Sequence, residues 1–151
     1  MVDPSGRFVY VGGSVGGPGA PPTGRIWTLQ VGAGGNVSLA FSTTAALGIG
    51  IFALGVTPDG RFLYAADVVS GGGTEVHVFA ANSSNGALTE VAGSMVNTGM
   101  LDAGMTLDLS GRFLYVTGNS GTVTYRVTSS GALERASSSS DPKCVFPTTG
   151  P

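Results

Sequence analysis

Three near-identical segments recur along the 151-residue chain. They are Asp3-Pro4-Ser5-Gly6-Arg7-Phe8-Val9-Tyr10-Val11, Thr57-Pro58-Asp59-Gly60-Arg61-Phe62-Leu63-Tyr64-Ala65 and Asp108-Leu109-Ser110-Gly111-Arg112-Phe113-Leu114-Tyr115-Val116, with starts 54 and 51 residues apart. A period near 50 constrains the fold more than any single residue does. A unit of that size cannot bury its own apolar faces and must stack on its neighbours in a linear or radial array.

Each repeat opens as a turn. Pro4 and Pro58 stand where a type I turn wants φ near −65°, and Gly6, Gly60 and Gly111 supply a position where φ can be positive without steric cost. The run Phe-Val/Leu-Tyr-Val/Ala that follows is aromatic, β-branched and apolar on both faces, which predicts a strand covered on both sides. Further strands are expected at 25–31 and 37–40, at 75–80 and 87–91, and at 122–127 and 132–135. One more is expected before each later turn, at 52–57 and 103–108. Four short antiparallel strands per repeat of about 50 residues make a β-propeller blade. The chain therefore reads as all-β, with three blades near 1–44, 45–96 and 97–140. Blade 1 would hold only the end (Met1-Val2) of its innermost strand, and 141–151 would link to a further blade.

The segment Asp-Pro-Ser-Gly-Arg-Phe-Val-Tyr-Val, with Asn-Gly-Ala-Leu (85–88) or Ser-Gly-Ala-Leu (130–133) closing the next hairpin, resembles the seven-bladed lactonase propellers. That family includes 6-phosphogluconolactonase-type proteins, and the wider YVTN-type propellers, many of them surface or secreted, are similar. The resemblance implies hydrolysis of a sugar-acid lactone at polar groups around a central channel. Lactonase-type members often carry a histidine segment at the start of an innermost strand. The matching positions here are Ile51-Phe52 and Asp102-Ala103, neither with histidine, so no catalytic residue is carried over. Three blades are also fewer than the roughly four to eight that close a ring, so a fragment of a longer propeller is expected.

Composition narrows the partners. Hydrophobic content of 42% allows a real core, and 11% charged residues is low against about 25% for ordinary soluble domains. A net charge of −2 with scattered basic residues argues against nucleic acid and anionic membranes as partners. The longest apolar run, Ala45–Val56, is 12 residues, against about 20 needed to span a bilayer. Cys144 is the only cysteine, which precludes an internal disulfide, and no Cys/His spacing suggests zinc. No cofactor or metal is expected. With the first strand beginning at once, no signal peptide is expected within this sequence, which says nothing if the chain is a fragment. Low charge with abundant Gly, Ser and Thr leans towards an exported protein. The sequons at Asn36 and Asn82 lie in hairpin turns that favour asparagine for backbone reasons.

Candidate chemistry is sparse. Gly12-Gly13-Ser14-Val15-Gly16 matches a nucleophile elbow, but Gly17-Pro18-Gly19-Ala20-Pro21-Pro22 cannot supply the helix an elbow needs, so a loop is expected. Gly48-Ile49-Gly50-Ile51-Phe52-Ala53 matches a dinucleotide fingerprint but leads into a strand. His77, the only histidine, falls on a third strand and is read as packing against an adjacent blade. Arg7, Arg61 and Arg112 share one structural position and are read as capping their own turns. Asp3, Asp59 and Asp108 belong to those turns. Asp67 after a second strand, Asp102 before an innermost strand and Asn119 in a short loop would emerge on one face of a propeller. These three are the candidate ligand contacts at the mouth of a cavity.

Two readings follow. One is part of a lactonase propeller acting on a small lactone or carbohydrate-derived ligand, with the isolated chain inactive. The other is a non-catalytic, surface or secreted binding scaffold. In either case an open arc of blades leaves apolar faces and strand edges uncovered, so self-association or further blades are expected.

Overall fold

The computed structural model describes residues 1–43, 47–101 and 104–139. Within them lie three antiparallel sheets, one per repeat. Blade 1 holds β1 (Phe8–Val15), β2 (Thr23–Val31) and β3 (Val37–Ser42). Its innermost strand is represented by a bridge from Val2 to Val9. Blade 2 holds β4 (Gly50–Val56), β5 (Phe62–Val68), β6 (Thr74–Ala81) and β7 (Leu88–Glu90), and blade 3 begins after β8 (Val96–Asn97). Blade 3 holds β9 (Gly104–Leu107), β10 (Phe113–Gly118), β11 (Gly121–Val127) and β12 (Leu133–Ser139). The all-β, partial-propeller architecture is the one the repeats predict.

Two local features differ from expectation. Strand β1 continues to Val15, so Gly12 to Val15 are strand and not loop. A Cβ on Gly12 would stand 2.5 Å from Ile51 Cγ2, so close packing of β1 on β4 accounts for the glycine without any nucleophile elbow. In blade 2 the outer edge of β6 is shared. Strand β7 pairs with Phe79–Ala81 and β8 with Glu75–Val76, with a turn closed by Ser94 N donating to Val91 O between them.

The repeated turns form for a reason the side chains show. Gly6, Gly60 and Gly111 sit at φ of 70°, 70° and 71°, the left-handed region that favours glycine. In blades 1 and 3 the first residue's carboxylate accepts the strand's leading amide: Phe8 N donates to Asp3 Oδ1 at 2.7 Å and Phe113 N to Asp108 Oδ1 at 2.9 Å. Ser5 and Ser110 hydroxyls donate to the same carboxylates. Blade 2 reaches the same result with the groups exchanged. Thr57 Oγ1 accepts from Phe62 N at 3.1 Å and donates to Asp59 Oδ1 at 2.6 Å.

These bonds favour the ionised carboxylates. The Thr57 hydroxyl holds Asp59 low, and the Ser110 hydroxyl with the Phe113 amide holds Asp108 low. At Asp3 partial burial pushes upward, but the Ser5 hydroxyl and the Phe8, Ser5 and Arg7 amides outweigh it and the net shift is down. A carboxyl whose folded pKa is depressed stabilises the fold above its unfolded value, and that stability is lost as pH falls through the folded value. Asp108→Asn should therefore flatten the fall in stability below about pH 4, read as urea midpoints against pH.

Blades are held together by a contact made twice. The ring of Phe8 covers Gly86, the turn glycine two residues before β7, and the ring of Phe62 covers Gly131, which precedes β12 in the same way. A Cβ at Gly86 would meet Phe8 at 2.7 Å and one at Gly131 would meet Phe62 at 2.4 Å. Both glycines have positive φ, 77° and 85°. A hydroxyl ties each joint: Thr28 Oγ1 donates to Gly86 O at 3.0 Å and Tyr64 OH to Gly131 O at 2.9 Å. Among the described residues none of these three arginine side chains bonds its own turn, contrary to expectation. Each guanidinium instead covers the phenylalanine beside it, at 5.2, 5.1 and 5.8 Å in blades 1, 2 and 3. Arg7 also donates across to Ser83 O and Ser84 O. Between the blades lie two apolar clusters, one built on Phe8, Tyr10, Ile26, Leu63 and Phe79, the other on Tyr64, Val76, Val78, Leu114 and Tyr125. Strand β5, between them, is buried at six successive positions, as a strand apolar on both faces should be.

The turn glycines give a graded test. They share a φ but not surroundings: nothing lies within 4 Å of a Cβ on Gly6, Pro4 Cδ is at 3.6 Å for Gly60, and Pro58 Cδ is at 2.5 Å for Gly111. Alanine at Gly6 should cost about 1–2 kcal/mol of left-handed strain alone. Alanine at Gly111 should cost about 1–3 kcal/mol more from overpacking, with Gly60 between, measured by equilibrium denaturation.

Candidate functional site

Of the three expected ligand contacts, two lie in the described residues and Asp102 lies outside them. Asp67 stands within β5, not in the loop after it, and its exposure is 0%. Its carboxylate accepts hydrogen bonds from Gly48 N and, at 3.3 Å, from Gly50 N. Asn119 is exposed in the tight turn between β10 and β11, and Leu101 N donates to its Oδ1 at 3.4 Å. In blades 2 and 3, then, a polar side chain near the end of the second strand fastens the loop that leads into the innermost strand. The structure does not bring Asp67 and Asn119 to one pocket.

The Gly48–Ala53 pattern has the same origin. A Cβ on Gly48 would stand 2.4 Å from Val68 O and 2.9 Å from both Asp67 carboxylate oxygens. The glycine is required by backbone approach within blade 2, and the segment enters β4, not a helix.

Asp67 belongs to a cluster the sequence reading missed. His77, opposite Ala65 on β6, is 5% exposed, and the carboxylates nearest its ring nitrogens all belong to blade 2. Its Nδ1 lies 2.9 Å from Glu90 Oε1, an acceptor, so Nδ1 donates. Its Nε2 lies 3.6 Å from Asp67 Oδ2 and 4.0 Å from Glu75 Oε2, with no hydrogen-bond partner among the described residues. Burial pushes the Asp67 carboxyl up. The Gly48 and Gly50 amides and His77 oppose that shift, Glu75 adds to it, and the net direction is upward. One proton, on Nε2 or on Asp67, makes the contact attractive; without it a lone pair faces a carboxylate. Among the described residues no serine, threonine or cysteine is bonded to the ring, so the described cluster has an imidazole and carboxylates but no hydroxyl or thiol nucleophile. Among the described residues no group of three or more His, Cys, Asp or Glu is arranged to hold a metal ion.

A cavity of about 300 Å³ opens at the inner edge, where β1 meets β4, and is lined by Tyr10, Gly12, Ile51, Phe52 and Leu54 among others. Ile51 is buried and Phe52 is half exposed at the expected strand start. Among the described residues the lining has no carboxylate, histidine or guanidinium. Burial, with Asp3 adding to it, raises the Tyr10 phenol above its ordinary value, so it stays a neutral hydroxyl.

No family model matches the chain, and no curated protein matches it by sequence. Solved structures do. A provisional 6-phosphogluconolactonase of Bacteroides fragilis superposes with a TM-score of 0.73 at 20% identity, over 89% of this chain and 36% of that one. Its counterpart in Bacteroides uniformis gives 0.72 at 21% identity, over 89% and 37%. A periplasmic gluconolactonase of Pseudomonas aeruginosa gives 0.71 at 18% identity, over 93% and 38%. The chain thus has a lactonase-like propeller fold and spans under two-fifths of the length of these proteins.

If Asp67 acts as a fastening, Asp67→Ala should leave the Gly48 and Gly50 amides without their acceptor and cost about 1–3 kcal/mol. The measurement is a urea midpoint at neutral pH. An unchanged midpoint would return Asp67 to the list of ligand contacts.

Proposed function

We propose that these three blades are part of a lactonase-type propeller whose complete ring hydrolyses a sugar-acid lactone such as 6-phosphogluconolactone. The observation that carries this reading is the likeness of nearly the whole chain to two provisional 6-phosphogluconolactonases and a gluconolactonase. Lactone opening needs a base for water and a donor for the developing oxyanion. The described lining of the inner cavity holds no carboxylate, histidine or guanidinium, so in this reading the reacting groups come from other blades and the present ones supply wall and packing.

The apolar inner cavity favours a second reading, a propeller that binds without catalysis and presents its loop face to a ligand or protein. Hydrolysis of 6-phosphogluconolactone and gluconolactone followed by pH-stat separates the two. The isolated chain should not exceed the spontaneous rate. The protein with its full complement of blades should exceed it clearly. Silence from a folded complete ring would remove the enzymatic reading and leave the scaffold.

A further inference from the structure

The imidazole of His77 stands between two carboxylates that make the same demand on it. Nδ1 faces Glu90 Oε1 at 2.9 Å, and Nε2 faces Asp67 Oδ2 at 3.6 Å. A neutral ring carries one N–H. Given to Glu90, it leaves the Nε2 lone pair against Asp67. Given to Asp67, it leaves the Nδ1 lone pair against Glu90. One further proton, shared between Nε2 and Asp67 Oδ2, lets both contacts be made. His77 and Asp67 are buried, where an unmet polar contact costs most.

The groups facing the pair offer no substitute. Glu75 on β6 lies 4.0 Å from Nε2 through Oε2, and Asn97 on β8 donates to its other oxygen. The entry to β4 brings the Gly48 and Gly50 amides, both already donating to Asp67. From blade 1 Gly24 approaches Asp67 without a side chain, and Phe79 stacks beside the imidazole. Among the described residues no lysine or arginine pairs with Asp67, Glu75 or Glu90.

What Asp67 holds is the approach to the innermost strand. Gly48 donates to Asp67 through its N–H, and its carbonyl accepts from Gly24 N of blade 1. The same stretch carries Leu47 and Ile51 into the core between blades 1 and 2, and Ile51 and Phe52 to the wall of the inner cavity.

We propose that His77 and Asp67 form a proton-operated latch on the entry to the innermost strand of blade 2. With the shared proton aboard, the latch ties β5, β6 and β7 together and keeps the Asp67 carboxyl on residues 48 and 50. With the proton gone, a lone pair faces a carboxylate, and the entry loosens along with that part of the cavity wall. Burial raises the Asp67 carboxyl above its ordinary value. A group raised on folding stabilises the fold below its unfolded value and loses that stability as pH rises through its folded value. The latch is therefore closed on the acid side and opens as pH rises.

Asp67→Asn separates a latch from a plain fastening. The amide keeps an oxygen for the Gly48 and Gly50 N–H groups, and its NH2 donates to Nε2 of a neutral ring whose Nδ1–H stays on Glu90. No further proton is then needed. Urea midpoints of the unmodified protein and of Asp67→Asn are compared from about pH 5 to about pH 9, a span that contains the ordinary histidine titration. Their difference at each pH cancels the titrating groups they share. The variant should be the less stable at the acid end and the more stable at the alkaline end, so the curves should cross. In the unmodified protein, hydrogen exchange at the Gly48 and Gly50 amides, corrected for the intrinsic rate at each pH, should lose protection over the same span. The Leu63 amide within β5 should keep its protection. Parallel midpoint curves overturn the proposal. So does protection at residues 48 and 50 that does not change with pH, a result that decides alone if the variant fails to fold.

Discussion

The structure rests on one contact, an aromatic ring laid on a bare glycine of the next repeat. Burying a phenylalanine contributes about 1.5–3 kcal/mol, and here the ring can approach the neighbouring backbone because no Cβ stands in the way at Gly86 or Gly131. The same glycines need positive φ to turn the chain into the outer strand. Two demands therefore fall on one residue, the turn and the seat. The arginine before each phenylalanine adds a guanidinium over the ring, and at both joints a hydroxyl from the same blade holds the glycine carbonyl. The apolar clusters on either side of β5 are possible only because these joints set the blades at packing distance.

The repeats made the fold legible. Their spacing gave the blades, the turn glycines gave the hairpins, and the doubly apolar Phe-Leu-Tyr-Ala run gave the buried second strand. Tertiary pairing was harder to read. Asp67 looked like the first residue of a loop because aspartate is depleted in strands. In the structure it remains strand, since two backbone amides from residues 48 and 50 satisfy its carboxylate. That supply comes from a different strand entry, which no local pattern discloses. The arginines were misread for a related reason. A residue beside a turn usually serves it, but here the Asp or Thr at the turn's first position had already taken that role.

The histidine cluster was half legible. Glu75, His77 and Phe79 alternate on one face of β6, and the sequence could have placed Glu75 beside His77. The approach of Asp67 and Glu90 depends on the registers of β5 and β7 against β6, which the sequence alone left open. The cluster spans the second, third and fourth strands of blade 2, and among the described residues it bonds no serine, threonine or cysteine. Its four groups all come from blade 2, and its chemistry matches a polar link among the strands of that blade better than a reaction centre.

Because the seat is built from the same residue types in every repeat, the repeats are interchangeable parts. The cross-blade bonds reach only to the next unit, with sequence separations of 58 and 67 residues for the two hydroxyl ties. Removing or duplicating one period in frame brings a phenylalanine against a turn glycine as before. Ring size in such a protein is thus open to change by copying whole units, each new joint arriving already matched, with stability set by nearest neighbours and not by the array as a whole. The lineage of a chain like this can lengthen or shorten by a blade in one genetic event and still present a packed surface at the splice.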